Sequence, residues 1–172
     1  MQKILSLLFF LFLVYTQAQA QKLFFGFGHV VYAQPSGKAL STQYAGGVGG
    51  EIGAGIKIIN KTYATGTLGY TYFFDKANLA QQPGDLHYVP VRLGIRQGLL
   101  PMNILFAHAD FGTASVKNKL TDGTRFTGSV GVGAKLTTFD LSLDYEFFGR
   151  KKTDPAGANS WIGFKAGFRL GL

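Results

Sequence analysis

The chain contains no cysteine, and this absence excludes several kinds of chemistry. Disulfide bonds, thiolate metal sites and a lipid anchor attached to cysteine all require that residue. Small exported proteins usually need disulfides when their hydrophobic core is too small. If this chain is exported, its fold must therefore be stabilised without disulfide bonds.

Proline and charged residues are also scarce. Only 5 of the 172 residues are proline and 15% are charged, whereas 24 are glycine and 15% are aromatic. After residue 21 no helical hydrophobic period of useful length occurs. No apolar run beyond the first 20 residues approaches the roughly 20 residues that a membrane-spanning helix needs. This composition favours many short strands joined by tight turns.

The first twenty residues have the pattern of an export signal. Lys3 supplies a positive charge, residues 4–15 form an apolar run, and Ala18-Gln19-Ala20 has small residues at the two positions that signal peptidases read. The run is shorter than a bilayer span, which disfavours a membrane anchor. We therefore predict a signal peptide at residues 1–20, cleaved after Ala20, and one domain at residues 21–172.

The rest of the chain alternates apolar with polar or small residues. At the C-terminal end every even position from Ile162 to Leu172 is apolar, and the odd positions hold glycine, Lys165 or Arg169. A period of two predicts a β-strand with two different faces. The same pattern predicts eight strands, at residues 22–32, 44–58, 62–74, 86–97, 103–113, 125–136, 139–149 and 159–172.

The connections between these strands differ in length. Those at residues 34–43, 75–85, 114–124 and 150–159 are long, and those at 60–61, 98–102 and 137–138 are short. Long and short connections alternate, so all the long ones fall at one end. An even number of antiparallel strands with long loops on one side is typical of an outer-membrane barrel. The predicted fold class is all-β, an eight-stranded antiparallel up-and-down transmembrane β-barrel.

Two closed barrels fit eight alternating strands. The apolar face points inward in a lipocalin-like soluble barrel and outward to lipid in a membrane barrel. The polar face is crowded with glycine, which suits the tight interior of a small barrel. Several aromatic residues are expected on the lipid-facing side, near the strand ends that carry the long loops, where such rings form an interfacial girdle. They are Tyr70, Tyr72, Phe126, Tyr145 and Phe147. Both features favour the membrane barrel.

Charges of both signs lie on the polar face, where we predict a structural charge network in the lumen. Its members are Glu51, Lys57, Arg92, Arg96, Asp110, Lys135, Asp140, Asp144, Glu146, Lys165 and Arg169. Charges in a narrow interior must be paired or hydrated. Because the last two strands are neighbours, we expect the acids of strand seven near Lys165 and Arg169. Ordinary solvated surface charge is the alternative.

The three histidines provide little sign of catalysis. His108 and Asp110 share a face, and we interpret them as an interior polar pair because no serine stands convincingly beside them. His29 and His87 are predicted to point to the apolar side. No metal-ligand spacing or phosphate loop occurs, and the glycines of residues 47–55 open no helix. The sequence therefore predicts no catalytic, cofactor or metal site.

Two stretches look like strands of a known family. YVPVRLGIR (residues 88–96) and GVGAKLTTFDLSLDYEF (residues 131–147), together with the signal peptide and the eight strands, resemble the small Gram-negative outer-membrane β-barrels, the group of OmpX and the OmpA transmembrane domain. Members commonly end on an aromatic residue that the barrel-assembly machinery reads. Here Leu172 is last, with Phe168 four residues earlier. The resemblance implies an outer-membrane location and that machinery as a partner.

The expected function is a structural or surface-interaction role without an open pore, because side chains just fill an eight-stranded interior. Expected partners are outer-membrane lipid including lipopolysaccharide, and a ligand at the long loops. Lipid phosphates could pair with cations assigned to the loops, namely Lys38, Lys76, Lys117, Lys119, Arg125, Arg150, Lys151 and Lys152. The net charge is +8, but scattered cations on an exported chain disfavour nucleic acid. The alternatives are a secreted lipocalin-like barrel for a hydrophobic ligand and, less favoured, a lipid A-modifying enzyme.

Overall fold

The computed structural model describes residues 23–76, 83–100, 104–150 and 157–171, which form one antiparallel sheet with a short helix. The predicted signal peptide and Leu172 lie outside these residues. The strands are β1 (Phe24–Pro35), β2 (Tyr44–Ile59), β3 (Thr62–Asp75), β4 (Leu86–Gly98), β5 (Leu105–Lys117), β6 (Asp122–Leu136), β7 (Phe139–Phe148) and β8 (Asn159–Gly171). Helix α1 (Lys38–Gln43) lies between β1 and β2.

The sheet closes on itself. Each strand pairs with the next, and β8 pairs with β1 in a register that sets Lys165 opposite Val31. Closure leaves no strand edge unpaired, which a bilayer requires because it offers the backbone no hydrogen-bond partner. The predicted eight-stranded antiparallel up-and-down transmembrane barrel is therefore confirmed.

The outside of the barrel is an apolar belt. Val30, Ile52, Leu93, Val132 and Leu143, from five different strands, are all exposed. Exposed rings on the same surface include Tyr32, Tyr70, Phe126 and Tyr145. A continuous apolar exterior of this kind suits lipid and not water. It contradicts the lipocalin-like alternative, in which the apolar faces would point inward.

No helix in the described ranges is long and apolar enough to cross a membrane. Helix α1 has only six residues. It lies at the loop end, which we define as the end of the barrel carrying the β1–β2, β3–β4, β5–β6 and β7–β8 connections; the opposite end is the turn end. Leu40 of α1 points into the barrel mouth and is buried there.

Buried apolar side chains fill the interior beneath α1. We call this group the loop-end core; it consists of Ala33, Leu40, Tyr44, Phe73, Leu86, Tyr88, Ala114, Val116, Phe148 and Trp161. Trp161 is at its centre, with ring centroids of Tyr88, Phe73 and Phe148 at 4.9, 5.3 and 6.1 Å. The lumen is thus sealed on this side by packed rings.

One predicted long loop is wrong. Residues 114–124 are mostly strand, since β5 continues to Lys117 and β6 begins at Asp122, where the two residues pair. The turn between them is held by Asn118, whose Oδ1 accepts backbone hydrogen bonds from Leu120 at 2.9 Å and Thr121 at 2.6 Å. This local turn lets the ladder extend through a polar segment. The alternation of long and short connections is therefore not strict.

The face assignment predicted for the first strand is also wrong. Alternation puts Leu23, Phe25, Phe27 and Val31 on one apolar face, which would be the lipid-facing one. In the structure Phe25 and Val31 are buried in the interior and Val30 is exposed. Both faces of β1 carry apolar residues, so alternation alone does not distinguish them. Strand pairing determines which face of β1 points into the barrel, because His29 lies opposite Glu51 and cross-strand neighbours lie on the same face of a sheet.

Pro90 interrupts a ladder without shifting it. Pairing between β3 and β4 stops after Leu68–Val91 and resumes at Thr71–Tyr88 in the same register. Proline has no N–H to donate to a neighbouring strand. A proline inside a strand predicts a bulge or another irregularity, and here the irregularity is a local gap in the hydrogen bonding between β3 and β4.

Candidate functional site

The centre of the lumen is built around Lys165 of β8. Its Nζ lies 2.8 Å from Asp144 Oδ2, 3.0 Å from Glu51 Oε2 and 3.1 Å from Glu146 Oε1. Asp144 and Glu146 come from the neighbouring β7, and Glu51 comes from β2, one strand beyond β1. One ammonium group thus joins three carboxylates from two strands.

Arg92 of β4 reaches the same carboxylates from the other side of the barrel. Its Nη2 lies 2.5 Å from Glu51 Oε2 and its Nη1 lies 2.5 Å from Glu146 Oε2. The guanidinium therefore bridges β2 and β7, which are not neighbours in the sheet. Buried charges are tolerated when they are paired and hydrogen-bonded, as each of these is.

His108 extends the network toward β5. Its Nδ1 lies 2.7 Å from Asp110 Oδ2 and its Nε2 lies 3.0 Å from Asp144 Oδ1. The hydroxyl of Thr65 donates to the other oxygen of Asp110 at 3.1 Å. Both ring nitrogens of His108 are engaged by carboxylates. Neither is placed to take a proton from a nucleophile, as a Ser–His pair would require.

A second layer lies nearer the turn end. Arg96 donates two hydrogen bonds to Asp140, at 2.8 and 2.7 Å. Its Cζ also lies 3.4 Å from the ring centre of Phe106. Arg169 stacks in the same way on Phe25, with its Cζ 3.6 Å from the ring centre. Cation–π contacts of this kind strengthen when water is excluded.

His29 belongs to the lumen, although its predicted position was on the apolar side. Its Nε2 lies 3.7 Å from Asp140 Oδ2 and its Nδ1 lies 3.8 Å from Glu51 Oε1. The imidazole therefore stands between the two layers. The cross-strand pairing with Glu51 is the signal that could have located it. His87 faces outward as predicted, and its Nδ1 lies 2.8 Å from the Tyr70 hydroxyl.

The predicted network residues divide into three groups. The first meets at the lumen centre and consists of Glu51, Arg92, Asp110, Asp144, Glu146 and Lys165. The second, Arg96, Asp140 and Arg169, forms the turn-end layer. Lys57 and Lys135 are half-buried, and Lys135 is the cross-strand neighbour of Asp140. Asp140 lies beside β8, opposite Gly167, as the strand order predicts. Its carboxylate also joins Arg96 of β4, because residues across a narrow lumen are as close as strand neighbours.

The remaining free space in the lumen is small. A cavity of about 30 Å³ lies among His29, Thr65, His108, Ser142 and Lys165. This volume suits one or two water molecules. Within the described ranges, no three histidine or acidic side chains are arranged to hold a metal ion. The interior is therefore a filled, charged core between two layers of aromatic side chains.

No family model matches the chain, and no curated protein matches it either. Solved structures do match. The crystal structure of Ail, the attachment invasion locus protein of Yersinia pestis, has 16% identity over 85% of this chain and 98% of its own, with a TM-score of 0.54. Neisserial surface protein A (NspA) has 19% identity over 87% and 97%, with a TM-score of 0.53.

The outer membrane protein OprG from Pseudomonas aeruginosa is similar over 87% of this chain and 96% of its own, with 10% identity and a TM-score of 0.52. The chain has the fold of the small outer-membrane β-barrels. For this barrel the apolar exterior is the lipid-facing surface. The loop end carries the three longest connections, those between β1 and β2, β3 and β4, and β7 and β8. At identities of 10–19% the likeness concerns the fold and leaves the role of the loops to this chain's own residues.

Proposed function

We propose that this barrel is a closed protein of the Gram-negative outer membrane whose activity lies at its surface-exposed loop end, without transport or catalysis. The observation that carries the proposal is the occupied lumen. Lys165 and Arg92, with the carboxylates that they share, tie four strands together at its centre, and the loop-end core fills the mouth above them. A solute would have to break buried ion pairs to pass.

Conductance tests the closed lumen. The folded protein is inserted into planar lipid bilayers, and current is recorded at moderate voltage in potassium chloride. We expect no discrete openings. Regular single-channel steps from pure, folded protein would contradict the proposal. A porin inserted in the same bilayer verifies that openings can be detected.

The absence of catalysis has its own test. His108 is the residue around which a lipid A-modifying site would be built, and both of its ring nitrogens contact carboxylates. We expect cells expressing His108→Ala to have the same lipid A composition as cells expressing the unaltered protein, and as cells lacking it. A lipid A species that depends on His108 would support the enzyme alternative.

Lipopolysaccharide is the proposed partner on the membrane side of the loop end. An outward-facing groove there is lined by Val89 and His87, by Lys117 and Lys119, and by the carboxylate of Asp85. The apolar wall suits an acyl chain of the lipid, and the cations suit its phosphate group. The related fold of Ail has been determined in a phospholipid nanodisc and in complex with the heparin analogue sucrose octasulfate, which supports testing anionic partners here.

Vesicles with and without lipid A provide that test. We expect lipid A to raise the unfolding temperature of the reconstituted barrel, and expect Lys117→Gln with Lys119→Gln to remove most of the increase. Lys61→Gln is the matched control, because Lys61 lies in the turn between β2 and β3 at the other end. An equal loss in this control would show that the cations at the loop end have no special role.

Export and insertion complete the proposal. The signal peptide at residues 1–20 would direct the chain across the inner membrane. The barrel-assembly machinery would then insert it, reading the C-terminal strand that contains Phe168. We expect export of a fusion carrying residues 1–20, cleavage after Ala20 seen by N-terminal sequencing, and poor insertion when Phe168 is replaced by Asp.

A further inference from the structure

The turn-end layer belongs to a ring of lumen-facing side chains that has one member on each strand. We call it the turn-end ring; in strand order it consists of Phe25, Lys57, Tyr63, Arg96, Phe106, Lys135, Asp140 and Arg169. Lys57 lies opposite Tyr63, which in turn lies opposite Arg96. Cross-strand neighbours share a face of the sheet, so these side chains form one layer around the barrel mouth.

The cations of this ring come from every second strand. Strands β2, β4, β6 and β8 all end at the turn end, and each carries a cation within its last three residues; these are Lys57, Arg96, Lys135 and Arg169. Ile58 and Leu136 are exposed on the barrel exterior, so alternation turns the preceding lysines inward. Closing the sheet therefore gathers four cations around one mouth.

The turn-end ring has an excess of positive charge. Asp140 is its one acidic member, so four cations and one acid leave a net charge of +3. This is the charge of the layer as a whole, and it holds whatever each lysine contacts within the layer. Asp140 is 0% exposed and accepts two hydrogen bonds from Arg96, so its carboxylate faces a member of the ring and not the periplasmic opening.

Aromatic members of the ring hold the two guanidinium groups. The Cζ of Arg96 lies 3.4 Å from the ring centre of Phe106, and the Cζ of Arg169 lies 3.6 Å from that of Phe25. An aromatic ring attracts a cation through its quadrupole and carries no net charge. These contacts therefore stabilise the buried guanidinium groups and leave their positive charge in place.

The acids of the lumen centre lie deeper in the barrel. Lys165, which they surround, precedes Arg169 by four residues on β8, or about 13 Å along the strand. That separation exceeds the screening length of about 8 Å at physiological ionic strength. Lys57 and Lys135 are half-buried, so they are the cations of the ring that an incoming molecule can reach.

We propose that the turn-end ring is a docking site for an acidic peptide, an exposed segment of a periplasmic protein that carries several carboxylates. In barrels of this fold the short turns face the periplasm. The four cations point to the barrel axis and not to the lipid, so the partner approaches along the axis. The mouth of an eight-stranded barrel is narrow, which suits a flexible segment and not a folded domain. A ring of one charge sign attracts and concentrates the opposite sign.

This site lies at the opposite end from the proposed loop-end role and goes beyond it. A barrel that conducts ions could still bind an acidic peptide at its turn end, and a closed barrel could fail to bind one. Conductance and peptide binding therefore succeed or fail separately.

The experiment is a binding titration of the folded mature protein in zwitterionic detergent. A fluorescently labelled hexaglutamate peptide is the probe, a serine–glycine peptide of the same length is the control, and fluorescence anisotropy is the readout. We expect saturable binding of one hexaglutamate peptide per barrel that weakens as sodium chloride is added. The control peptide should not bind.

Variants locate the site. Lys57→Gln with Lys135→Gln should weaken binding by about two- to fivefold for each charge removed. Lys117→Gln with Lys119→Gln removes the same charge from the loop end and should leave the affinity unchanged. Thr138→Glu adds a carboxylate at an exposed position of the β6–β7 turn and should weaken binding by a similar factor, about two- to fivefold. This third variant keeps all eight members of the ring, so it remains informative if the first pair does not fold.

Three results would overturn the proposal. The first is binding that never saturates or that the serine–glycine peptide reproduces. The second is an equal loss of affinity in the loop-end pair of variants. The third comes from phosphatidylglycerol added to the micelles as a competitor, which we expect not to displace the peptide. If it does displace the peptide, and Lys57→Gln with Lys135→Gln weakens the lipid as well, the ring recognises a lipid surface instead of an acidic peptide.

Discussion

Lys165 Nζ lies 2.8 Å from Asp144 Oδ2, and the two side chains are 3% and 0% exposed. They come from neighbouring strands, so the sheet itself brings them together. The same ammonium is within 3.1 Å of Glu146 and 3.0 Å of Glu51. A lysine with three carboxylate partners inside a barrel is a structural cross-link, and its removal leaves like charges facing one another.

Lys165→Met should destabilise the barrel strongly. Three buried carboxylates would lose a shared cation, and breaking a buried ion pair on one side costs about 3–5 kcal/mol. The free energy of unfolding, measured in urea with the protein in lipid vesicles, should fall by that amount. Lys117→Met is the control, because its ion pair with Asp122 at 3.2 Å is exposed and should be worth less than about 1 kcal/mol. Equal losses in the two variants would refute the stabilising role of the network.

Trp161→Ala should open a cavity in the loop-end core. Its ring contacts Tyr88, Phe73 and Phe148, and truncation of a buried aromatic residue costs about 3–5 kcal/mol. Phe164→Ala, on the same strand but facing lipid, should cost roughly half as much because no internal cavity forms. The stabilities of the two variants can be ranked by the temperature at which each one loses the faster migration of the folded barrel on gels. A larger loss of stability in Phe164→Ala than in Trp161→Ala would contradict the stabilising role of the loop-end core.

Glycines on the two faces of the sheet should respond differently to alanine. A Cβ at Gly131 would lie 2.7 Å from His108 Nε2 and 2.8 Å from the Leu143 carbonyl oxygen. Gly131→Ala should therefore destabilise by about 1–3 kcal/mol. A Cβ at lipid-facing Gly50 would meet nothing closer than 3.6 Å. Gly50→Ala should be neutral, or stabilising by up to about 1 kcal/mol. Urea midpoints compare the two, and similar midpoints would count against the tight interior.

Asp85, just outside β4, should titrate below an ordinary aspartate. The Tyr72 hydroxyl and then the Asp75 backbone N–H donate hydrogen bonds to its carboxylate and hold the pKa of Asp85 below 3.8. A depressed pKa stabilises the folded state above the unfolded value, and the effect is lost as pH falls through the folded value. Tyr72→Phe should raise the pKa seen by carbon NMR. An unchanged titration in that variant would exclude the contribution of the hydroxyl.

The strand pattern was predictable because it is local. Alternation along β2, β4, β6, β7 and β8 assigns each side chain to a face without knowledge of its neighbours. The faces were right on these strands, since one face is uniformly apolar. The first strand failed because Phe25 and Val31 on one face and Val30 and Tyr32 on the other are equally apolar. On this strand the pairing of His29 with Glu51 determines which face points inward.

The turn at Asn118 shows a second limit. Residues 114–117 and 122–124 contain polar side chains, so they resemble a loop when read alone. Hydrogen bonds from Leu120 and Thr121 to the Asn118 side chain set a tight turn, and the strands then pair to their ends. That pairing is an interaction between the two strands of one hairpin, and the composition of either segment read alone does not reveal it.

Alternation along the chain was enough to predict the number of strands, the lipid-facing side of most of them, and the inward direction of the residues assigned to the lumen charge network. These depend on a repeat of two residues along one chain. Which of these charges meet depends on how the sheet closes. Arg96 of β4 joins Asp140 of β7, and Arg92 joins Glu51 to Glu146, because closing eight strands makes the lumen narrow enough for opposite walls to touch. The same closure placed Arg125, assigned from the sequence to a loop, in β6 with its side chain buried inside the barrel.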